Sequence, residues 1–362
     1  MKPIRILHVV THMNRGGLET MLMNYYRNID RSKIQFDFLT HRDYDGDYGT
    51  EINQLGGVIY HLPPLNPLSR NYHNKLSLFF DEHKEYQIIH VHQDCLSSVI
   101  LKVAKQHDVK IRIAHSHCAS QDKNYKYLIK IWYKRFIPKY ATDLLACGKD
   151  AGKWMFNGAP FTVLNNAIDT SKYIFNPEKR AEQRKKWHVN DTDLLIGHVG
   201  RFSPQKNHEF LIDIFENLQS IIPSKLLLVG DGELRGHIEQ KVENMGLKNK
   251  VIFTGLRSDV SDLMQAMDVF VFPSHYEGIP VTLVEAQASD LPCLISDKVS
   301  IECKLTKKVK QIHLSDSVKI WAQEIIKCSR EKRMNTEDKI KKAGFDIKEN
   351  AKLLEDYYES KL

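Results

Sequence analysis

The feature that most constrains this chain is an alternation sustained from end to end. Short runs rich in β-branched and aromatic residues each give way to an amphipathic helical pattern of about 10 to 16 residues. In the first half the candidate strands are Ile4–Val10, Phe36–Thr40, Val58–Leu62, Ile88–His92, Ile111–His115, Asp143–Cys147 and Thr162–Leu164. In the second half they are Leu194–Val199, Leu226–Val229, Val251–Thr254, Val269–Phe272 and Cys293–Ser296. Runs this apolar, spaced by helices, imply parallel strands buried on both faces. Two successive series imply an α/β protein of two doubly wound parallel-sheet domains. The seam is expected between Asp169 and Asp193, where the strand pattern stops, Pro177 intervenes and a charged stretch runs from Glu178 to Lys186. A last helix, about Ile347 to Leu362, carries Ala351, Leu354 and Tyr358 at helical spacing.

Length agrees with two domains, since 362 residues exceed what one ordinary core supports. No stretch reaches the ~20 apolar residues that span a bilayer. The run Ile4–Val10 is short, contains His8 and leads to no small-residue cleavage site, so it reads as a strand and not a signal peptide. The six cysteines are scattered with no CxxC pair, which argues against a disulfide framework or zinc site and for reduced thiols in the cytoplasm. The net charge of +7 is local: Leu101 to Tyr140 holds ten Lys or Arg against Asp108 and Asp122, and the rest of the chain is close to neutral.

Open α/β sheets bind ligands beyond the carboxyl ends of their strands. The chemistry is therefore expected in the loops that follow strands and, with two such domains, in the cleft between them. After the strand Val269–Phe272 come Glu277, Gly278, Ile279 and Pro280, then a helix that Pro280 is well placed to start and that carries Glu285. Eight residues of helix would separate the two carboxylates by ~12 Å, beyond the ~5.5 to 9.5 Å of glycoside hydrolases. One carboxylate on sugar hydroxyls and the other on ribose hydroxyls, with helix N–H groups facing a diphosphate between them, fits better. After Leu194–Val199 come Gly200, Arg201 and Lys206, two cations able to clamp that diphosphate and stabilise its growing charge. Gly16 and Gly17 follow the first strand and allow close backbone approach. His115, Ser116 and His117 end the strand Ile111–His115. No Cys or carboxylate with ligand spacing accompanies them, and no nucleophile-elbow pattern surrounds Ser116. Contact with a substrate and an ordinary structural role both remain open for the histidines.

Taken in order, Gly16-Gly17 with Glu19, His115-Ser116-His117, Asn165-Asn166-Ala167-Ile168-Asp169, Gly200-Arg201 with Lys206, Val229-Gly230-Asp231-Gly232, Phe253-Thr254-Gly255 and Glu277 to Glu285 (Glu-x7-Glu) resemble glycosyltransferase family 4 over the whole length. The likeness is greatest to its bacterial exopolysaccharide and capsular polysaccharide branch. The resemblance implies the GT-B fold, two Rossmann-like domains facing across a cleft. Residues 1-172 would form the acceptor-binding domain and 173-345 the nucleotide-sugar domain, with a C-terminal helix at about 346-362 packing back on the first. It implies a retaining, metal-independent hexosyltransferase that uses a nucleotide-diphosphate sugar, most often UDP-linked, with no cofactor, and a lipid-linked or oligosaccharide acceptor. By position, Gly16 and Gly17 would approach the diphosphate, His117 would contact the transferred sugar, and Arg201 and Lys206 would hold the diphosphate. The backbone at Leu256 would meet the base. Glu277 with the main chain of Gly278, Ile279, Pro280 and Val281 would hold the sugar, Thr282 the phosphate and Glu285 the ribose. His115 and Asn166 are further candidate substrate contacts. The chain departs from the family pattern at Ala167 and Asp290, where glycine is common, and at Asp297-Lys298-Val299, where a glycine-rich loop is usual.

Between Lys123 and Lys139 aromatics interleave with lysines. On a helix, Tyr125, Leu128, Ile129, Trp132 and Phe136 share one face and Lys123, Lys126, Lys130 and Lys134 another. Two outcomes are open: a core helix with a solvated cationic side, or an anionic membrane surface held by these lysines with Arg135 and Lys139. The second would make the enzyme cytoplasmic and peripheral on the inner face of the cell membrane. No nucleic-acid recognition motif accompanies the charge. Rival functions are a sugar-nucleotide epimerase of the same architecture and a non-catalytic binding subunit of a polysaccharide assembly complex. Gly230, Gly232 and Gly236 imitate a dinucleotide fingerprint, but the next strand ends at Thr254 without the acid that would grip a ribose.

Overall fold

The computed structural model describes residues 2–120 and 127–362. The chain divides into two compact units, Met1–Ala167 with Ile347–Leu362, and Ile168–Asp346.

The first unit holds seven parallel strands: β1 (Ile4–Val9), β2 (Ile34–Thr40), β3 (Ile59–His61), β4 (Ile88–Val91), β5 (Ile111–Ser116), β6 (Asp143–Ala146) and β7 (Thr162–Val163). Their order is β3-β2-β1-β4-β5-β6-β7, so the winding reverses between β1 and β4. β2 and β4 are buried along their whole length, as strands covered on both faces must be. The C-terminal helix Ile347–Glu359 belongs to this unit. It buries Ile347, Ala351, Leu354 and Tyr358 on one face, and Glu355 Oε2 accepts from the Asp30 N–H at 3.2 Å. Leu76, Ile89, Val91, Ile100 and Phe156 lie in the core on the other side of the sheet.

The second unit holds six parallel strands: β8 (Leu194–Val199), β9 (Ser224–Val229), β10 (Val251–Phe253), β11 (Val269–Phe272), β12 (Cys293–Ser296) and β13 (Val309–Ile312). Their order is β10-β9-β8-β11-β12-β13, with the reversal between β8 and β11. Ile196, Leu228, Val271 and Leu294 from the central strands pack with Phe215 and Trp321 from the covering helices to form the core. The charged stretch after Pro177 is a helix, Pro177–Lys186, whose first N–H groups are capped by the Asn176 side chain. Arg180 and Arg184 tie it to Asp268 at 2.5 and 3.2 Å.

The edge strand β13 was not expected from sequence. Its central Lys310 and Gln311 break the apolar run on which the other strands were recognised. No disulfide joins any of the six cysteines, and among the described residues no helix is long and apolar enough to cross a membrane.

Candidate active site

In the second unit the reversal of strand order brings two loops together. The loop after β8 ends in a single 3-10 turn, Pro204–Lys206, and Asn207 follows in the left-handed conformation with φ +57°. Asn207 Nδ2 donates to Pro273 O at 3.1 Å, the His275 N–H donates to Gln205 O at 2.8 Å, and Gln205 Nε2 donates to Tyr276 O at 3.0 Å. These bonds fix the loop after β11 against the loop after β8. Lys206 Nζ donates to Glu277 Oε1 at 2.6 Å and lies 4.6 Å from the Phe272 ring centroid. Both charged side chains are largely withdrawn from solvent, at 15% and 8% exposure. Glu277 also forms a parallel bridge with Val299. The Asp297-Lys298-Val299 segment, where the family usually has a glycine-rich loop, is thus bonded to Glu277.

Arg201, on the same loop as Lys206, turns outward. Its guanidinium pairs with Glu233 at 3.0 Å, and both side chains are well exposed. Gly230 and Gly232 explain the dinucleotide-like glycine spacing. At φ +136° and +159°, a Cβ at Gly230 would lie 2.2 Å from Gly200 O, and one at Gly232 would lie 2.5 Å from Phe202 O. The glycines are there because the loops after β8 and β9 touch through their backbones, with the Phe202 N–H donating to Asp231 O at 3.0 Å.

The helix Val281–Ala288 starts at Pro280 with no side-chain cap. The Thr282 hydroxyl in its first turn is buried without a protein partner. Further along the helix, the Tyr173 hydroxyl donates to Glu285 Oε1 at 2.6 Å. Burial outweighs that bond and pushes the Glu285 carboxyl up to about 7. Leu256, expected to meet a base through its backbone, follows Gly255 in a loop and is half exposed. Asp290 adopts φ +52°, the conformation for which glycine is suited, and is held by Lys308 at 2.6 Å and by the Met334 N–H.

The first unit carries the remaining expected residues. Gly16 caps the helix Gly17–Asn28, and a Cβ there would meet Glu19 Oε2 at 2.3 Å, whereas one at Gly17 would meet nothing within 4 Å. Asn166 is buried near the end of the unit. His115 and His117 belong to a larger group. The two-residue period of β1, β4 and β5 places His8, His90, His92, His115 and His117 on one face, at the point where the strand order reverses. His8 Nδ1 lies 3.1 Å from His92 Nε2, and His92 Nδ1 lies 2.8 Å from His117 Nε2. His90 Nε2 lies 3.1 Å from His115 Nδ1, and His90 Nδ1 lies 2.7 Å from the Tyr358 hydroxyl. Burial lowers all five, His8 and His117 to about 3, so each ring is neutral near pH 7. His115 is enclosed, while His117 is only partly buried. Sequence reasoning missed His8, His90, His92 and Tyr173. The repeated His-x-His pattern on β4 and β5 was a visible signal for two of them; nothing marked Tyr173.

The basic segment differs from the core-helix expectation. Lys123, Tyr125 and Lys126 lie outside the described residues. In the helix Tyr127–Lys134, Leu128, Ile129 and Trp132 are exposed, Leu128 to 79%, so this apolar face is not core. Lys134 is not on a solvated cationic side: its ammonium is buried, donates to Trp154 O at 2.5 Å and sits 4.4 Å from the Trp154 ring. Lys134 closes the helix and points inward, toward the helix that carries Trp154. Arg135 and Lys139 are exposed, and Lys130 is half-buried.

Residues 15–172 match the family model described as Glycosyltransferase Family 4, and residues 179–346 match Glycosyl transferases group 1. A relative from Bacillus subtilis (strain 168), the putative glycosyltransferase EpsF, is 37% identical over 98% of this chain and 96% of its own length. The chain belongs to glycosyltransferase family 4. An Escherichia coli relative, UDP-Gal:alpha-D-GlcNAc-diphosphoundecaprenol alpha-1,3-galactosyltransferase, is 28% identical over 59% of this chain and 58% of its own. Anabaena HepE in complex with UDP-glucose shares the fold, with a TM-score of 0.75 at 21% identity over 98% of this chain and 99% of that one. The two parallel-sheet units are those of the GT-B class, and the chain is a glycosyltransferase.

Proposed function

We propose that this family 4 enzyme moves a sugar from a UDP-sugar to a lipid-linked saccharide, with retention of anomeric configuration and without a metal ion. One observation carries the donor assignment: Lys206 and Glu277 are paired and nearly dry at the reversal point of the second sheet. Glu285 and the uncapped helix start at Pro280 follow on the adjoining segment. A cation there meets the diphosphate, Glu277 meets hydroxyls of the sugar, and Glu285 meets those of the ribose. Arg201 adds a second cation. Gly16, Gly17 and His117 are assigned the same donor, Gly16 and Gly17 its diphosphate and His117 its transferred sugar.

In this reaction the bond between the anomeric carbon and the phosphate oxygen breaks as the acceptor oxygen bonds to the same face of the sugar. The acceptor's proton passes to the departing diphosphate, so no protein nucleophile is needed. The UDP donor is favoured by what HepE binds, and the lipid-linked acceptor by the substrate of the E. coli relative.

The exposed Leu128, Ile129 and Trp132 beside Arg135 and Lys139 support a peripheral place on an anionic membrane, where a lipid-linked acceptor resides. A thermal-shift screen over UDP-, GDP- and ADP-sugars tests the donor, with stabilisation expected for the UDP series. Transfer that survives alanine at Lys206, Glu277 and Arg201 in turn would refute the site. Loss of transfer on chelation with EDTA would refute metal independence. Isomerisation of the free donor would favour the epimerase instead.

A further inference from the structure

Three of the imidazoles form a single file: His8 Nδ1 to His92 Nε2 at 3.1 Å, then His92 Nδ1 to His117 Nε2 at 2.8 Å. A neutral imidazole has one donor and one acceptor nitrogen, so each ring that donates to the next must accept from the one before. The file therefore has only two polarities. In one, every Nδ1 carries the proton and the inner end, His8 Nε2, is a bare lone pair. In the other, every Nε2 carries it and His8 Nε2–H is a donor. That nitrogen is buried with no partner. An orphaned buried N–H is the rarer and more costly of the two defects.

We infer that His8 and His92 are positioning residues that lock His117 in its Nδ1–H tautomer, so that His117 meets the transferred sugar only as a hydrogen-bond donor from Nδ1. The inference rests on the proposal that His117 touches that sugar. The rings' neutrality, imposed by burial, removes the third possibility of an imidazolium that donates from both nitrogens. A ring free to exchange tautomers would spend part of its time presenting a lone pair to the substrate, and would favour sugars whose hydroxyl donates. A locked donor selects an oxygen that accepts. The lock reaches the substrate from a strand that does not: His8 lies on β1, His92 directly follows β4 and His117 directly follows β5.

The test is a long-range 1H–15N spectrum of the full chain labelled with 15N-histidine, recorded at pH 7 without donor. His8→Phe, His92→Phe and His117→Ala assign the three rings. In the unsubstituted protein His117 should show a protonated Nδ1 and a bare Nε2. His92→Phe should release that preference and lower kcat/KM about tenfold, the value of one hydrogen bond, chiefly through kcat. His92→Asn keeps an N–H where His92 Nδ1 stood, and should restore both the tautomer and most of the rate. A protonated Nε2 on His117 in the unsubstituted protein would overturn the inference. So would a His92→Phe protein whose His117 spectrum and turnover are unchanged. If the spectrum is as expected but His117→Ala transfers sugar normally, the sugar contact fails and the tautomer lock stands, so the two failures are told apart.

Discussion

Replacing Glu285 with glutamine should make the second unit more stable and the enzyme worse at holding its nucleotide. The carboxyl is buried, is pushed up to about 7 and accepts from the Tyr173 hydroxyl at 2.6 Å. In the unfolded chain it would titrate near 4.3. The folded state thus keeps a proton that the unfolded chain has already released between about pH 4.3 and 7, and stability falls as pH rises through that window. Above it the buried carboxylate costs about 4 kcal/mol, from the gap between those two values at 1.36 kcal/mol per pH unit. Glutamine is neutral throughout and still accepts from Tyr173. Glu285→Gln should therefore exceed the parent by up to about 4 kcal/mol at pH 8, or roughly 8 to 16 °C in a unit of this size. At pH 4.5 the difference should nearly vanish. If the carboxylate accepts from ribose hydroxyls, the same change removes charge-assisted hydrogen bonds and should weaken UDP binding by about 10- to 100-fold at pH 8. Calorimetry at pH 4.5, 6 and 8 and titration with UDP read the two effects separately. A variant that is less stable than its parent at pH 8, or a gap that does not change with pH, would show that the carboxyl is not held neutral by burial.

Three further outcomes follow from the geometry. Lys206→Ala leaves the Glu277 carboxylate buried and unpaired, so urea denaturation should show a loss of about 3 kcal/mol along with loss of transfer. Gly230→Ala, whose Cβ would fall 2.2 Å from Gly200 O, should cost ~2 kcal/mol or more, whereas Gly246→Ala, at φ +69° with nothing within 4 Å, should cost only about 1. The chain should sediment with anionic but not neutral liposomes at low salt, and Trp132→Ala should weaken that binding; equal binding to both lipids would remove the membrane role.

How much of this was readable beforehand depended on what each signal was made of. Twelve candidate strands fall on twelve strands of the structure because runs of apolar and β-branched residues stand out, wholly buried in β2, β4, β8, β11 and β12 and exposed in β7. β13 escaped because an edge strand need bury only part of itself, and Val309 and Ile312 suffice around two polar residues. The Lys206–Glu277 partnership brings together residues 71 positions apart, a distance that spacing alone does not bridge; the order of motifs along the chain pointed to it. His90 and His92 passed as strand residues, since a histidine is understood only once its neighbours across the sheet are known. Lys134 was misplaced for a related reason. Helical periodicity tells which residues share a face, but not which face meets the rest of the protein.

Neither cation proposed to meet the diphosphate is idle: Lys206 holds Glu277 and Arg201 holds Glu233. The two pairs should not respond alike to a nucleotide. Lys206 has three donors and gives one to Glu277, so it can add phosphate oxygens without abandoning a carboxylate that would be costly to strand. Arg201 and Glu233 are exposed, and such a pair is worth at most about 1 kcal/mol. Arg201 can leave it cheaply, and should, because a phosphate accepts from its fork more strongly than a solvated carboxylate does. Glu233 is then a competitor for the site and not a part of it. Glu233→Ala should tighten UDP binding by up to about fivefold and leave transfer intact, in contrast with Glu277→Ala, which should abolish it. Weaker UDP binding in the Glu233→Ala protein, measured by titration calorimetry, would mean that Arg201 needs its carboxylate to stay oriented and does not change partners.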